Sequence, residues 1–181
     1  MANATEWSPS ELMDPRGAVD PEALRTLQRR LRERGDSEAW ARALEFAGAH
    51  APSPDLGRSW WAEAGSTWLE LGEARRAEPL FDRVLATEPG HSSSLEALVR
   101  ICLDAGRWEE AAELTERLAR SRRGAARARA LMAAAEILDQ RLHQVDRALR
   151  CLREAHEADT SQEQVLSRAF ELLFRERRWL E

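Results

Sequence analysis

A 34-residue period constrains this chain more than any other feature. The clearest unit is RSWWAEAGSTWLELGEARRAEPLFDRVLATEPGH, residues 58 to 91, two helical runs joined at LGEA and closed by TEPGH. The next unit, 92 to 125, follows without a gap. Leu95 stands for Trp61, Leu98 for Ala64, Cys102 for Trp68, Gly106 for Gly72, Ala111 for Ala77 and Leu118 for Val84. After a three-residue insertion the pattern resumes at 129 with Met132, Ala135, Ala148, Leu152 and Ala155. It restarts at 163 with Leu166, Ala169, Phe170 and Leu173. Upstream, residues 21 to 54 supply Leu24, Leu27, Leu31, Gly35, Leu44, Ala47 and Pro52. A unit this short buries its apolar face only against its neighbours, so the period predicts a stack.

Composition agrees with an all-α chain. All 27 basic residues are Arg, Tyr is absent, and Ala, Leu, Glu and Arg dominate, which are strong helix formers. β-branched residues are scarce and no alternating run reads as a strand. A net charge of −5 counts against nucleic acid as the partner. Cys102 and Cys151 lie inside helical runs with no motif spacing, which points away from a disulfide framework and to a reducing cytosol. The N-terminus lacks a basic segment followed by an apolar one, so it does not read as a signal peptide. The longest apolar stretch, ALMAAAEIL, is half the length that crosses a bilayer, so no membrane is expected.

The unit at 58 to 91 resembles the tetratricopeptide repeat family. Its Trp61, the small pair Ala64 and Gly65, then Trp68, Ala77, Phe81, Val84 and Pro89 stand in that family's order. Small residues let paired helices approach, and large ones fill the space between adjacent hairpins. The resemblance implies an α-solenoid of antiparallel helix hairpins wound into a right-handed superhelix. The expected layout is an arm over residues 1–20 and a repeat domain over 21–181, in units of about 21–54, 58–91, 92–125, 129–162 and a truncated 163–181. Departures are Trp40 where the family has a small residue, Arg123 in place of the closing Pro, His143 at a turn glycine, and Pro79 inside a helix that it should bend slightly.

In the arm, Ser8 reads as an N-cap, Pro9 as the first helical residue and Glu11 as the return partner of a capping box, with Trp7 and Leu12 as a staple. Two readings are open: a mobile arm, or a segment docked through Trp7, Leu12 and Met13 on this chain or on a partner. Among the tryptophans, Trp61 and Trp68 take core positions and Trp60 is expected to be partly exposed. Trp7 and Trp179 are the interface candidates.

Nothing in the sequence argues for catalysis. The four histidines are scattered, glycines stand singly, and no nucleophile grouping has a local signature. No cofactor, metal or small-molecule substrate is expected. Glu109, Glu113, Glu116, Arg117 and Arg120 are spaced as i,i+4 partners on a solvated helix face.

The resemblance implies protein–protein interaction, with first helices of each unit lining a concave groove. Arg25, Arg29 and Arg32 form a basic stripe there, to which Arg30 and Arg34 add. Matching positions are Ala62, Ser66 and Leu69, then Glu96, Arg100 and Leu103, then Ala133, Ile137 and Gln140. The stripe is otherwise a solvated basic face; as a site it would take an acidic, partly apolar peptide. The Lys and Asn set that grips a C-terminal carboxylate in some relatives is missing. A scaffold or adaptor is the expected role, with self-association as one alternative and a nucleic-acid-binding helical repeat as another.

The C-terminal end supplies a further candidate surface. RERRWLE repeats, at Arg178 and Trp179, the Arg107–Trp108 pair that opens a second helix, so the pattern stops partway through a unit. Val165, Leu166, Ala169, Phe170, Leu172, Leu173 and Phe174 exceed what one buried face requires. Either more chain follows in the parent protein, or another molecule covers this end. Phe174 and Trp179 are its candidate contacts.

Overall fold

The computed structural model describes residues 7–177. Among them the regular structure is helical, apart from one isolated antiparallel bridge between Met13 and Val19. The chain forms two compact units, Met1–Pro89 and Gly90–Glu181.

The first unit holds α1 (Pro21–Arg34), α2 (Ser37–Ala49), α3 (Pro54–Glu70) and α4 (Ala74–Thr87), each packed on the next. Helix starts follow their caps: Asp20, Asp36 and Ser53 each accept a hydrogen bond from a first-turn N–H, and Pro21 and Pro54 occupy the first helical position. Leu24, Leu27 and Leu31 bury one face of α1, although α1 packs less extensively on α2 than α2 does on α3 or α3 on α4. Trp40, standing where a small residue was called for, donates instead through Nε1 to Glu63 of α3 at 3.3 Å. Pro79 stays inside a continuous α4, whose Ala77, Phe81 and Val84 face inward.

The described part of the arm, residues 7–20, packs against α1 and α2. Leu12 and Val19 are buried, the Val19 N–H donates to the His50 carbonyl at 2.8 Å, and the Trp7 ring lies 5.8 Å from that of Phe46. Only the return half of the capping box forms. Ser8 caps no N–H, whereas the Glu11 carboxylate accepts from the Ser8 backbone and, at 3.4 Å, from its hydroxyl, and also pairs with Arg30 of α1 at 2.8 Å. That hydrogen bond from Arg30 outweighs partial desolvation and holds the Glu11 carboxyl below its usual range.

Trp60 corrects the reading of the tryptophans: it is buried beside Ala64 and Trp68, whereas Trp61 is half-buried. Residues spaced by four share one helix face, which places Trp60 with Trp68. Trp61 lies flat on Gly48 of α2, where any Cβ would stand 2.3 Å from its ring.

The second unit holds α5 (Ser92–Asp104), α6 (Trp108–Arg120), α7 (Gly124–Gln140), α8 (Val145–Ala158) and α9 (Glu163–Arg175), again packed in series. Its core is small-residue rich, with Ala128, Ala134, Ala148 and Ala155 at helix contacts and Leu131, Leu138 and Leu152 filling between them. Cys102 is fully buried in α5.

Turn geometry repeats with the sequence. Gly35, Gly72 and Gly106 take left-handed backbone, and so do His143 (φ 55°) and Arg177 (φ 57°) at the equivalent places. A side chain there costs about 1–3 kcal/mol, so packing of the flanking helices enforces the turn where glycine is absent.

Candidate protein-binding surfaces

Helix α9 presents three different faces. Val165 and Leu172 are buried against the preceding helices. A second face meets α7 across a groove of about 1160 Å³, lined by Met132, Ala133 and Glu136 on one side and Ser167, Glu171 and Arg175 on the other. Arg175 clamps this side by donating to both oxygens of Asp139, with Nη1 to Oδ2 at 3.2 Å. Those bonds and that to Glu176 hold the guanidinium's pKa above its ordinary value. The third face carries Leu166, Phe170 and Phe174, exposed by 42, 68 and 67%. At i, i+4 and i+8 these form one apolar stripe in water.

The expected site residues fall in separate places. Arg25, Arg29 and Arg32 are exposed on α1, with Arg25 paired to Glu22 in its own helix. On α3, Ser66 is exposed and donates back to the Ala62 carbonyl at 3.0 Å, while Leu69 is half-buried. On α5, Arg100 is exposed and Leu103 half-buried. Ala133 and Gln140 of α7 line the α7–α9 groove, and Phe174 stands on the apolar stripe. Trp179 lies outside the described residues.

Two carboxylates of α6, Glu109 and Glu116, reach another helix and not only partners in their own. Glu116 accepts from Nε of Arg147 on α8 at 2.9 Å, and Glu109 accepts from the same guanidinium, which pins α8 across α6. Partial burial works against the Arg147 charge, yet its bonds to Glu116 and Glu109 prevail and raise its pKa. Cys151 sits beside this network. Burial first, then the Glu116 and Glu154 charges, push its thiol up to about 12. The thiolate is the reactive form and an ordinary thiol ionises near about pH 8.5. Iodoacetamide at about that pH should therefore leave Cys151 unmodified in the folded chain and alkylate it after denaturation. Prompt native labelling, read by mass spectrometry, would contradict this placement.

Sequence reasoning missed a basic recess of about 670 Å³ in the first unit. Arg42 of α2 and Arg75, Arg76 and Arg83 of α4 surround it, above a floor that includes Trp68. The only signal in the sequence is the Arg75–Arg76 pair followed two turns later by Arg83.

Among the described residues, no three of His, Cys, Asp and Glu converge as metal ligands, and no helix is long and apolar enough to cross a membrane.

A tetratricopeptide repeat model matches residues 69–135. No curated protein matches the chain. Among solved structures, the chain is similar to "MamA RS-1 ArsTM double mutant" at 20% identity and a TM-score of 0.59, over 91% of this chain and 86% of that one. It is similar also to "MamA 41-end from Desulfovibrio magneticus RS-1" at 20% identity and a TM-score of 0.55, over 91% and 87%. At that identity the likeness is one of fold. The sequence likeness to tetratricopeptide repeats is thus confined to residues 69–135, while the likeness in fold to helical-repeat structures extends over 91% of the chain.

Proposed function

We propose that the chain is a protein-binding scaffold, not an enzyme, and that its main partner surface is the apolar face of α9 together with the neighbouring α7–α9 groove. The observation that carries this reading is the exposure of Leu166, Phe170 and Phe174 on one helix face. Covering the exposed part of either phenylalanine would contribute on the order of 2 kcal/mol. Aromatic anchors of that kind dominate interface energetics. The groove's mixed charges then set orientation more than affinity.

Phe170→Glu with Phe174→Glu tests this. Both side chains stand in water, so helix content should be unchanged by circular dichroism. Affinity capture from the source cell should lose, in the double variant, a protein retained by the unaltered chain. An identical set of captured proteins would refute the surface.

Self-association is a second reading, favoured by the charges flanking the stripe. Glu163 and Arg177, both exposed, lie at its two ends. Two antiparallel copies of α9 centred on Phe170 would set Leu166 against Phe174 and Glu163 against Arg177. Sedimentation equilibrium separates the readings: a mass rising with concentration, and restored to the monomer by Phe170→Glu, supports self-pairing, whereas a constant monomer mass rejects it.

A further inference from the structure

The recess of the first unit lies on a different set of helices from the α9 face and has a different chemistry. Four guanidinium groups, from Arg42, Arg75, Arg76 and Arg83, border it, in a chain whose net charge is −5. One carboxylate, Glu45, lies among them, and it already accepts the Nε1–H of Trp68. Glu38 pairs with Arg42 at 2.6 Å and stands 3.7 Å from Arg76. No carboxylate is paired with Arg75 among the described residues. Four positive charges thus face two negative ones, and one of those two is engaged by an indole.

Aromatic rings hold two of the arginines in place. Arg76 lies 4.5 Å from the centre of the Trp68 ring, and Arg83 lies 5.5 Å from that of Trp61. Stacked guanidinium groups keep their N–H edges available for in-plane acceptors, so less order remains to be imposed when a carboxylate arrives. Beneath the arginines the packing is apolar: Trp68 and Leu80 are buried there, and Pro79 of α4 is exposed beside them.

The spacing of the charges selects the ligand. Arg75 and Arg83 are about 12 Å apart along a helix that rises 1.5 Å per residue. A single small anion cannot bridge that length, whereas an extended segment of about four residues spans it at roughly 3.3 Å each.

We propose that this recess is a docking site for an acidic peptide segment, with carboxylates on the arginines and one apolar side chain against the exposed Pro79. The proposal rests on the reading of the chain as a protein-binding scaffold, but on another unit and another set of residues.

Fluorescence anisotropy with the full chain tests it. The probe is a fluorescein-labelled octapeptide of Asp and Glu residues carrying one Phe and one Leu; its control has Asn and Gln in place of every acid. Reversing both charges replaces two charge-assisted hydrogen bonds by repulsion, so Arg75→Glu with Arg83→Glu should weaken acidic-probe binding by at least about tenfold. Arg75→Lys with Arg83→Lys should retain most of it, and added salt should weaken it. Phe170→Glu with Phe174→Glu should bind this probe as the unaltered chain does, which separates this proposal from the α9 surface. Equal affinity for the neutral peptide, no change on charge reversal, or displacement by inorganic phosphate at the probe's own concentration would each overturn it. The last outcome would make the recess a small-anion site.

Discussion

Trp68→Ala should destabilise the first unit by about 3–5 kcal/mol, the range for removing a fully buried large aromatic. The side chain is 1% exposed on α3. Its loss opens a cavity bordered by the inward residues of α4, and the flanking helices can close it only in part because α2 is also held by its packing on α1. Two further contacts go with the ring: Glu45 loses its indole donor, and Arg76 loses the surface over which it lies. Trp68→Phe keeps much of the volume but removes the N–H and one ring of the indole, so it should cost less than Trp68→Ala, roughly 1–3 kcal/mol. Urea denaturation followed by far-ultraviolet circular dichroism measures both. A Trp68→Ala loss below about 1 kcal/mol would mean that the α3 packing is misassigned.

The second large effect is expected at Gly65. A Cβ built there would meet the Phe81 ring at 2.8 Å, inside the distance that real Cβ atoms tolerate. Alanine is about 1 kcal/mol better than glycine within a helix, yet overpacking costs typically 1–3 kcal/mol. Gly65→Ala should therefore be neutral or destabilising in spite of its propensity, and Gly65→Val should cost about 2–3 kcal/mol. The repeat itself supplies the control. The places of Gly65 and Phe81 are taken by Val99 and Thr115 in the next unit, so bulk on one helix is exchanged for bulk on the other. Gly65→Val combined with Phe81→Thr should recover at least part of the Gly65→Val loss. A double variant whose cost equals the sum of the two single ones would show that the residues do not compensate.

Much of the fold is legible because the repeat ties each residue's environment to its place in the period. Ala64, Trp68, Ala77, Phe81 and Val84 are buried as their positions require, and the turns fall at Gly72 and Gly106. Local rules fail where a long-range contact competes with them. Glu11 is shared between Ser8 and Arg30, and Glu109 and Glu116 reach out of their own helix to Arg147. Trp60 and Trp61 are adjacent, and only the absence of a side chain at Gly48 decides how Trp61 packs.

The binding surfaces are less legible for a related reason. A hydrophobic period identifies the buried face of each helix and carries little information about solvent-facing groups on different helices. The apolar excess of α9 was visible because Phe170 and Phe174 violate the pattern of a single buried face. The arginine recess was not, because Arg42 meets Arg75, Arg76 and Arg83 only after α3 has brought α2 and α4 to the same side. The basic stripe at Arg25, Arg29 and Arg32 was conspicuous by spacing alone, and it lines none of the recesses described above.

Replacing Phe170 by p-benzoylphenylalanine tests the central claim most directly. This photoreactive analogue keeps the aromatic ring and joins covalently to whatever packs on it. Irradiation of the full chain in extract of the source cell should give a discrete adduct, either with a second protein or with another copy, and Phe174→Glu should abolish it. Irradiation that yields no adduct at position 170 would contradict the assignment of this face as the partner surface.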